Sequence, residues 1–119
     1  MDLEIADHVS DGVRVLQLSG VIKLGDSVHL LRSRLKEMLN DGDAQLVLDL
    51  KRVTYVDSAG LGALVAALTT ARNQGGNMKL ARVAQQFREQ LSVTKLVTVF
   101  ELYNSVEEAV ESFAPSSGT

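Results

Sequence analysis

The sequence predicts an α/β domain: a mixed, mostly parallel sheet with helices packed against it, in the order β-β-α-β-α-β-α-β-α. Three observations predict it. Two strand-like runs at the start are separated by turn residues. After them, segments with helical apolar spacing alternate with short apolar runs. At the centre, one such run passes directly into a helix-start signature, Val56-Asp57-Ser58-Ala59-Gly60-Leu61-Gly62.

Taken in order, Leu3-Glu4-Ile5-Ala6 alternates weakly and reads as a short edge strand. Ser10-Asp11-Gly12 is turn chemistry, so Val13 to Leu18 should return as the second arm of a hairpin, ended by Gly20. Its alternation slips between Val15 and Leu16, which implies a bulge or burial on both faces. Val28, Leu31, Leu35 and Leu39 then recur at three- and four-residue steps. They mark an amphipathic helix with Asp26 or Ser27 as its cap and Asn40-Asp41-Gly42 as its end. Leu24, at its start, fits either core or surface.

Leu46 to Leu50 is apolar enough for a central, covered strand, with Asp49 at its end or facing out. A second helix follows from about Ser58 to Asn73, striped by Leu61, Leu64, Val65 and Leu68 and stopped by Gly75-Gly76. Met78 to Arg82 reads as a fourth strand, Gln85 to Leu91 as a short helix and Val97 to Phe100 as a last strand. Ser105 caps a final helix whose first turn holds Glu107 and Glu108, both suited to the dipole. One domain is expected over residues 1–113, with 114–119 as a disordered tail.

Composition narrows the function classes. The 119 residues suffice for a real core. A formal net charge of −3 offers no basic excess to displace counterions, which argues against nucleic acid as the main partner. No cysteine is present, so disulfides, thiol catalysis and thiolate metal sites are excluded. The acidic start, Met1-Asp2-Leu3-Glu4, is unlike a secretory signal, and the longest nearly apolar stretch is about half a membrane span. A cytoplasmic location without membrane insertion is the expectation.

The candidate site is the strand-to-helix turn. Asp57 and Ser58 are both residue types whose oxygens cap helices. Gly60 and Gly62 fall in the first turn, where glycine costs stability unless something must approach closely. A hydroxyl there lies at the positive end of the helix dipole, which favours a phosphate. A capped helix alone would also account for Asp57-Ser58, and tight packing for the glycines. Lys51, Arg52, Arg82, Arg88 and Lys95 read as solvated charges.

Familiar catalytic patterns fail. The turn has no Gly-Lys-Ser/Thr, so it is not a P-loop. Val65 stands where a dinucleotide fingerprint needs its third glycine, and Val56 where a nucleophile elbow needs glycine. His8 and His29 are isolated. No enzymatic activity and no cofactor are expected.

Apolar-Asp-Ser-x-Gly-Leu-Gly between the third strand and second helix resembles the STAS domain of bacterial anti-sigma factor antagonists, and the likeness spans nearly the whole chain. The resemblance implies that Ser58 is a phosphoacceptor. Around it, Asp57, Ala59, Gly60, Leu61, Gly62 and Lys23 are expected to meet the partner, with the glycines letting its surface lie close and Leu61 as an apolar contact. Unphosphorylated, such a protein binds an anti-sigma factor serine kinase and frees a sigma factor; phosphorylation releases it, and a PP2C-type phosphatase resets it. Nucleotide and magnesium would belong to the kinase. Many family members carry Gly-Glu-Leu/Ile-Asp after the second strand, whereas this chain has Gly20-Val21-Ile22-Lys23, which replaces both acids and makes one position basic. Two alternatives remain: a constitutive STAS scaffold, for example in a lipid-transport complex, with Ser58 only a cap; or an anion- or nucleotide-binding domain.

Overall fold

A computed structural model describes residues 2–114; the tail beyond Ala114 lies outside the described residues. The elements are β1 (Leu3–Ser10), β2 (Val13–Ile22), α1 (Asp26–Asn40), β3 (Gln45–Val56), α2 (Ser58–Asn73), β4 (Asn77–Ala81), α3 (Gln85–Val93), β5 (Leu102–Tyr103) and α4 (Val106–Glu111), with a 3-10 turn at Leu96–Thr98 before β5. The strands lie side by side in chain order. β1 and β2 form the antiparallel hairpin, and every later neighbour is parallel. The expected architecture is the observed one.

Successive parallel crossovers of one hand place their helices on one face of a sheet. Accordingly Leu31 and Leu35 of α1, Leu64 and Leu68 of α2, and Phe87 and Leu91 of α3 share one buried cluster with Leu46, Leu48 and Leu50 of β3. The intervening side chains of the sheet point the other way. Val13, Val15, Val47 and Ala81 form a smaller cluster closed by Ala109 and Val110 of α4. Val15 and Leu16 thus enter opposite clusters, so the slipped alternation reflects burial on both faces. The ladder irregularities fall later, at Gln17–Ser19 and Gly20–Val21.

Several boundaries differ from expectation. β1 runs on to Ser10 because the hairpin pairs along its full length. Gly20 does not end β2; at φ 116° it lets the strand pass the Asp2 carbonyl, where a Cβ would overlap, and continue to Ile22. β3 extends with it to Val56, carrying Lys51 and Arg52 through exposed positions. Neither Asp26 nor Ser27 caps α1. Gly25 holds that position without a side-chain bond, and the Ser27 hydroxyl accepts from the Lys23 N–H and donates to the Lys23 carbonyl, each at 2.9 Å. The expected strand at Val97–Phe100 is instead the 3-10 turn and its exit, with Phe100 buried in the larger cluster. Residues 101–103 take the edge because the Leu80 and Arg82 N–H groups donate to the Glu101 and Tyr103 carbonyls.

Asp49 is neither terminal nor outward. It sits mid-strand with 3% of its surface exposed, and Arg82 is its partner rather than a solvated charge, with Nε 2.9 Å from Oδ1. Burial pushes the Asp49 carboxyl upward. The bonds from Arg82 and the Lys51 N–H outweigh that and hold it below its ordinary value. At the other end of the same face, Lys79 donates to Ser112 at 2.7 Å and lies 4.0 Å from the centre of the Phe113 ring.

Removing one partner of a buried pair strands the other. Because Arg82 is itself 38% exposed, Arg82→Ala is expected to cost about 2–3 kcal/mol, less than a fully buried pair would lose. Urea denaturation should show a lower midpoint at unchanged slope.

Candidate functional site

The site is assembled where parallel strands β2 and β3 end side by side, with Ile22 opposite Val56. Beyond Val56 the chain turns into α2, and Asp57 takes the cap position with extended backbone. One carboxylate oxygen accepts from the Gly60 N–H at 2.8 Å, and the other from the Leu24 N–H at 2.9 Å. Its own N–H donates to the Ile22 carbonyl at 3.1 Å. A single residue thus ties the first turn of α2 to the end of β2 and to the loop at Lys23–Gly25. The Leu24 N–H bond, then the Gly60 bond, hold the Asp57 carboxyl below the ordinary carboxylate range.

With the cap supplied by Asp57, Ser58 is the first residue of the helix and its side chain is exposed. Ser58 is therefore not the cap: the capped helix that the Asp57-Ser58 pair predicts is formed by Asp57 alone. Ala59 is half-buried beside it, and Lys23 is exposed on the loop that Asp57 holds.

The two glycines have different reasons. A Cβ on Gly60 would overlap the Ile22 carbonyl oxygen and come within 2.8 Å of the Ile22 side chain, so the helix can pack this closely on β2 only with glycine there. Gly62 faces open space: a Cβ would meet nothing within 4 Å. Leu61, expected as an apolar contact, is only 6% exposed and belongs to the core. The apolar groups left at the surface nearby are Leu24, 77% exposed, and Tyr55, 55% exposed. Tyr55 lies in the part of β3 beyond Leu50, outside the strand that the sequence predicts. Alternation about Val53 and Val56 was the signal that could have found it.

Among the described residues, no group of three or more His, Cys, Asp or Glu side chains is placed to hold a metal ion. Among the described residues, too, no helix is long and apolar enough to cross a membrane.

The fold and site together define a small α/β domain that presents a serine at the start of a helix, at the carboxyl ends of its central parallel strands. The chain belongs to the STAS domain family, whose model matches residues 4–109. Its relatives include the anti-sigma-F factor antagonist RsfB of Mycobacterium tuberculosis, 31% identical over 108 residues, covering 89% of this chain and 84% of that protein. The anti-sigma-B factor antagonist of Bacillus subtilis is 31% identical over 85 residues, covering 71% and 77%. The crystal structure of an anti-sigma factor antagonist from Mycobacterium paratuberculosis superimposes with a TM-score of 0.83 over 93% of each chain at 24% identity, a likeness of fold.

The glycines give a paired test. Gly60→Ala should destabilise by about 1–3 kcal/mol through overpacking. Gly62→Ala should stabilise by up to about 1 kcal/mol through helix propensity. Thermal denaturation of the two variants should move in opposite directions.

Asp57 gives a test in pH. Its carboxyl is depressed in the folded state, so its bonds contribute fully above the unfolded value of about 3.9 and are lost as pH falls through the lower folded value. The Leu24 and Gly60 amide resonances should titrate together with a midpoint below about 3.9. In Asp57→Asn that titration should vanish.

Proposed function

We propose that this chain is an anti-sigma factor antagonist that acts by partner switching, with Ser58 as the phosphoacceptor. Unphosphorylated, it binds an anti-sigma factor that is also a serine kinase, and so frees a sigma factor. The Ser58 oxygen bonds to the γ-phosphorus of ATP as the bond to the β-phosphate oxygen breaks, ADP leaves, the hydroxyl proton passes to a base of the kinase, and the phosphorylated chain dissociates. A PP2C-type phosphatase hydrolyses the phosphoserine and restores binding. Nucleotide and magnesium belong to the kinase and metal to the phosphatase; this chain is the substrate of both and catalyses neither step.

The observation that carries this reading is the division of labour between neighbours. Asp57 does the capping, which leaves Ser58 exposed and uncommitted at a helix N-terminus. Gly62 supports it: an exposed helical glycine costs about 1 kcal/mol relative to alanine, and packing in this domain does not require it. A bare helix surface beside Ser58 suits a partner that lies close. Leu24 and Tyr55 are the exposed apolar groups such a partner would cover, while Gly60 and Leu61 shape the turn from beneath. The relatives named as anti-sigma factor antagonists point the same way.

Magnitudes favour a switch that acts at the interface over one that acts through refolding. Phosphorylation adds roughly −1.5 to −2 charges at neutral pH. At the start of α2 these gain about 0.3–1 kcal/mol from the helix dipole, and Lys23 adds a cation on the adjoining loop. Neither effect approaches the about 5–15 kcal/mol that holds a domain folded. Burying the same charges against a partner costs several kcal/mol, and each ~1.4 kcal/mol is a tenfold change in affinity.

The test is intact-mass analysis with ATP and an anti-sigma kinase of the same genome, alongside binding measurements. One phosphate on Ser58, absent in Ser58→Ala, is expected. Ser58→Ala should bind the kinase like the unmodified chain, and Ser58→Asp at least about tenfold more weakly. No phosphate, with equal affinities for both variants, would instead leave a constitutive scaffold.

A further inference from the structure

β3 is longer than the strand beside it. Its pairing with β4 stops at Asp49 opposite Ala81, whereas its pairing with β2 continues to Val56 opposite Ile22. From Leu50 to Val56 the edge that would face β4 has no strand partner. Side chains occupy its two ends: Asp49 accepts from the Lys51 N–H at 3.2 Å, and Gln90 Nε2 donates to the Val56 carbonyl at 3.0 Å. Between them the edge opens on a largely apolar groove of about 470 Å³, walled by β3 from Val53 to Val56 and by Gln86, Phe87 and Gln90 of α3. At Ala84 this groove adjoins a second cavity of about 300 Å³ that holds Lys51, Arg82 and Arg88. Arg82 is committed to Asp49. Among the described residues, Lys51 and Arg88 have no carboxylate within ion-pair distance.

We propose that this edge receives an extended segment of a partner protein, added to β3 as a strand, with acidic residues beside Lys51 and Arg88 and apolar residues along Val53–Val56. An open edge offers backbone donors and acceptors in a row, and a strand meets them where a helix cannot. Charge decides the composition of one end, since two unpaired cations adjoin the groove. The apolar walls decide the other. At about 3.3 Å per residue, six or so extended residues span the open stretch, roughly 20 Å. The edge shares Tyr55 with the surface proposed for the switch partner and ends two residues before Ser58, but strand addition to it does not require phosphorylation of Ser58.

The experiment uses the full isotope-labelled chain and two six-residue capped peptides, Glu-Asp-Val-Thr-Ile-Val and the same residues in reverse order. One order should bind, shifting the Val53, Thr54 and Tyr55 amides and slowing their hydrogen exchange; which order binds reports whether the added strand is parallel or antiparallel. Lys51→Glu combined with Arg88→Glu should weaken binding at least tenfold. Gln86→Trp, at an exposed position that walls the groove, should abolish it, with the rest of the spectrum unchanged as the check on folding. Binding of neither peptide would overturn the proposal. So would binding that both variants leave unaltered.

Discussion

The Asp57 carboxylate is the interaction on which the site depends. Its two oxygens reach two backbone N–H groups that are remote in sequence, Leu24 and Gly60. A bond to an ionised acceptor is among the stronger kinds a protein makes. The geometry of the turn is therefore fixed by one side chain, not by the serine beside it. That arrangement separates structure from chemistry: Ser58 can change its covalent state without removing a bond that the fold uses. It also makes the Lys23–Gly25 loop part of the site, because that loop follows α2 through Asp57.

The sheet supplies the platform. Three helices cover one face with a continuous apolar core, and beneath them β2 and β3 end side by side. In open α/β sheets the carboxyl ends of the strands are where loops converge and function gathers. Here β2 and β3 outrun β4, so the turn at Asp57 projects at a corner instead of lying in a crevice between strands. A corner suits contact with another macromolecule better than enclosure of a small molecule.

Much of this was legible in the sequence. The order of elements, the start of α2 at Ser58 and the helical stripes of α1 and α2 follow from periodicity and cap chemistry, which are local. What local reading missed was set by partners far along the chain. Gly20 looked like a terminator, yet it lets β2 continue under Asp2, and β3 lengthens because β2 does. Asp49 looked peripheral because its counterion, Arg82, lies a strand away. Val97–Phe100 looked like a strand by composition, but the β4 edge is taken by residues 101–103. At the site the same limit applies. The two glycines are alike in sequence, and only the position of the Ile22 carbonyl separates the one that packing demands from the one it does not.

The smaller face of the sheet has a consequence of its own. α4 has six residues, too few to persist as a helix alone. It stays in place by burying Ala109 and Val110, aided by Lys79 reaching Ser112 and the Phe113 ring. Its detachment would bare Val13, Val15, Val47 and Ala81 without disturbing the three-helix side. Elements held by so few buried side chains are, as a class, the ones that open at lower cost than the whole fold. α4 packs on the face of the sheet opposite the three helices, so the contacts that hold it are distinct from those that hold the turn carrying Ser58.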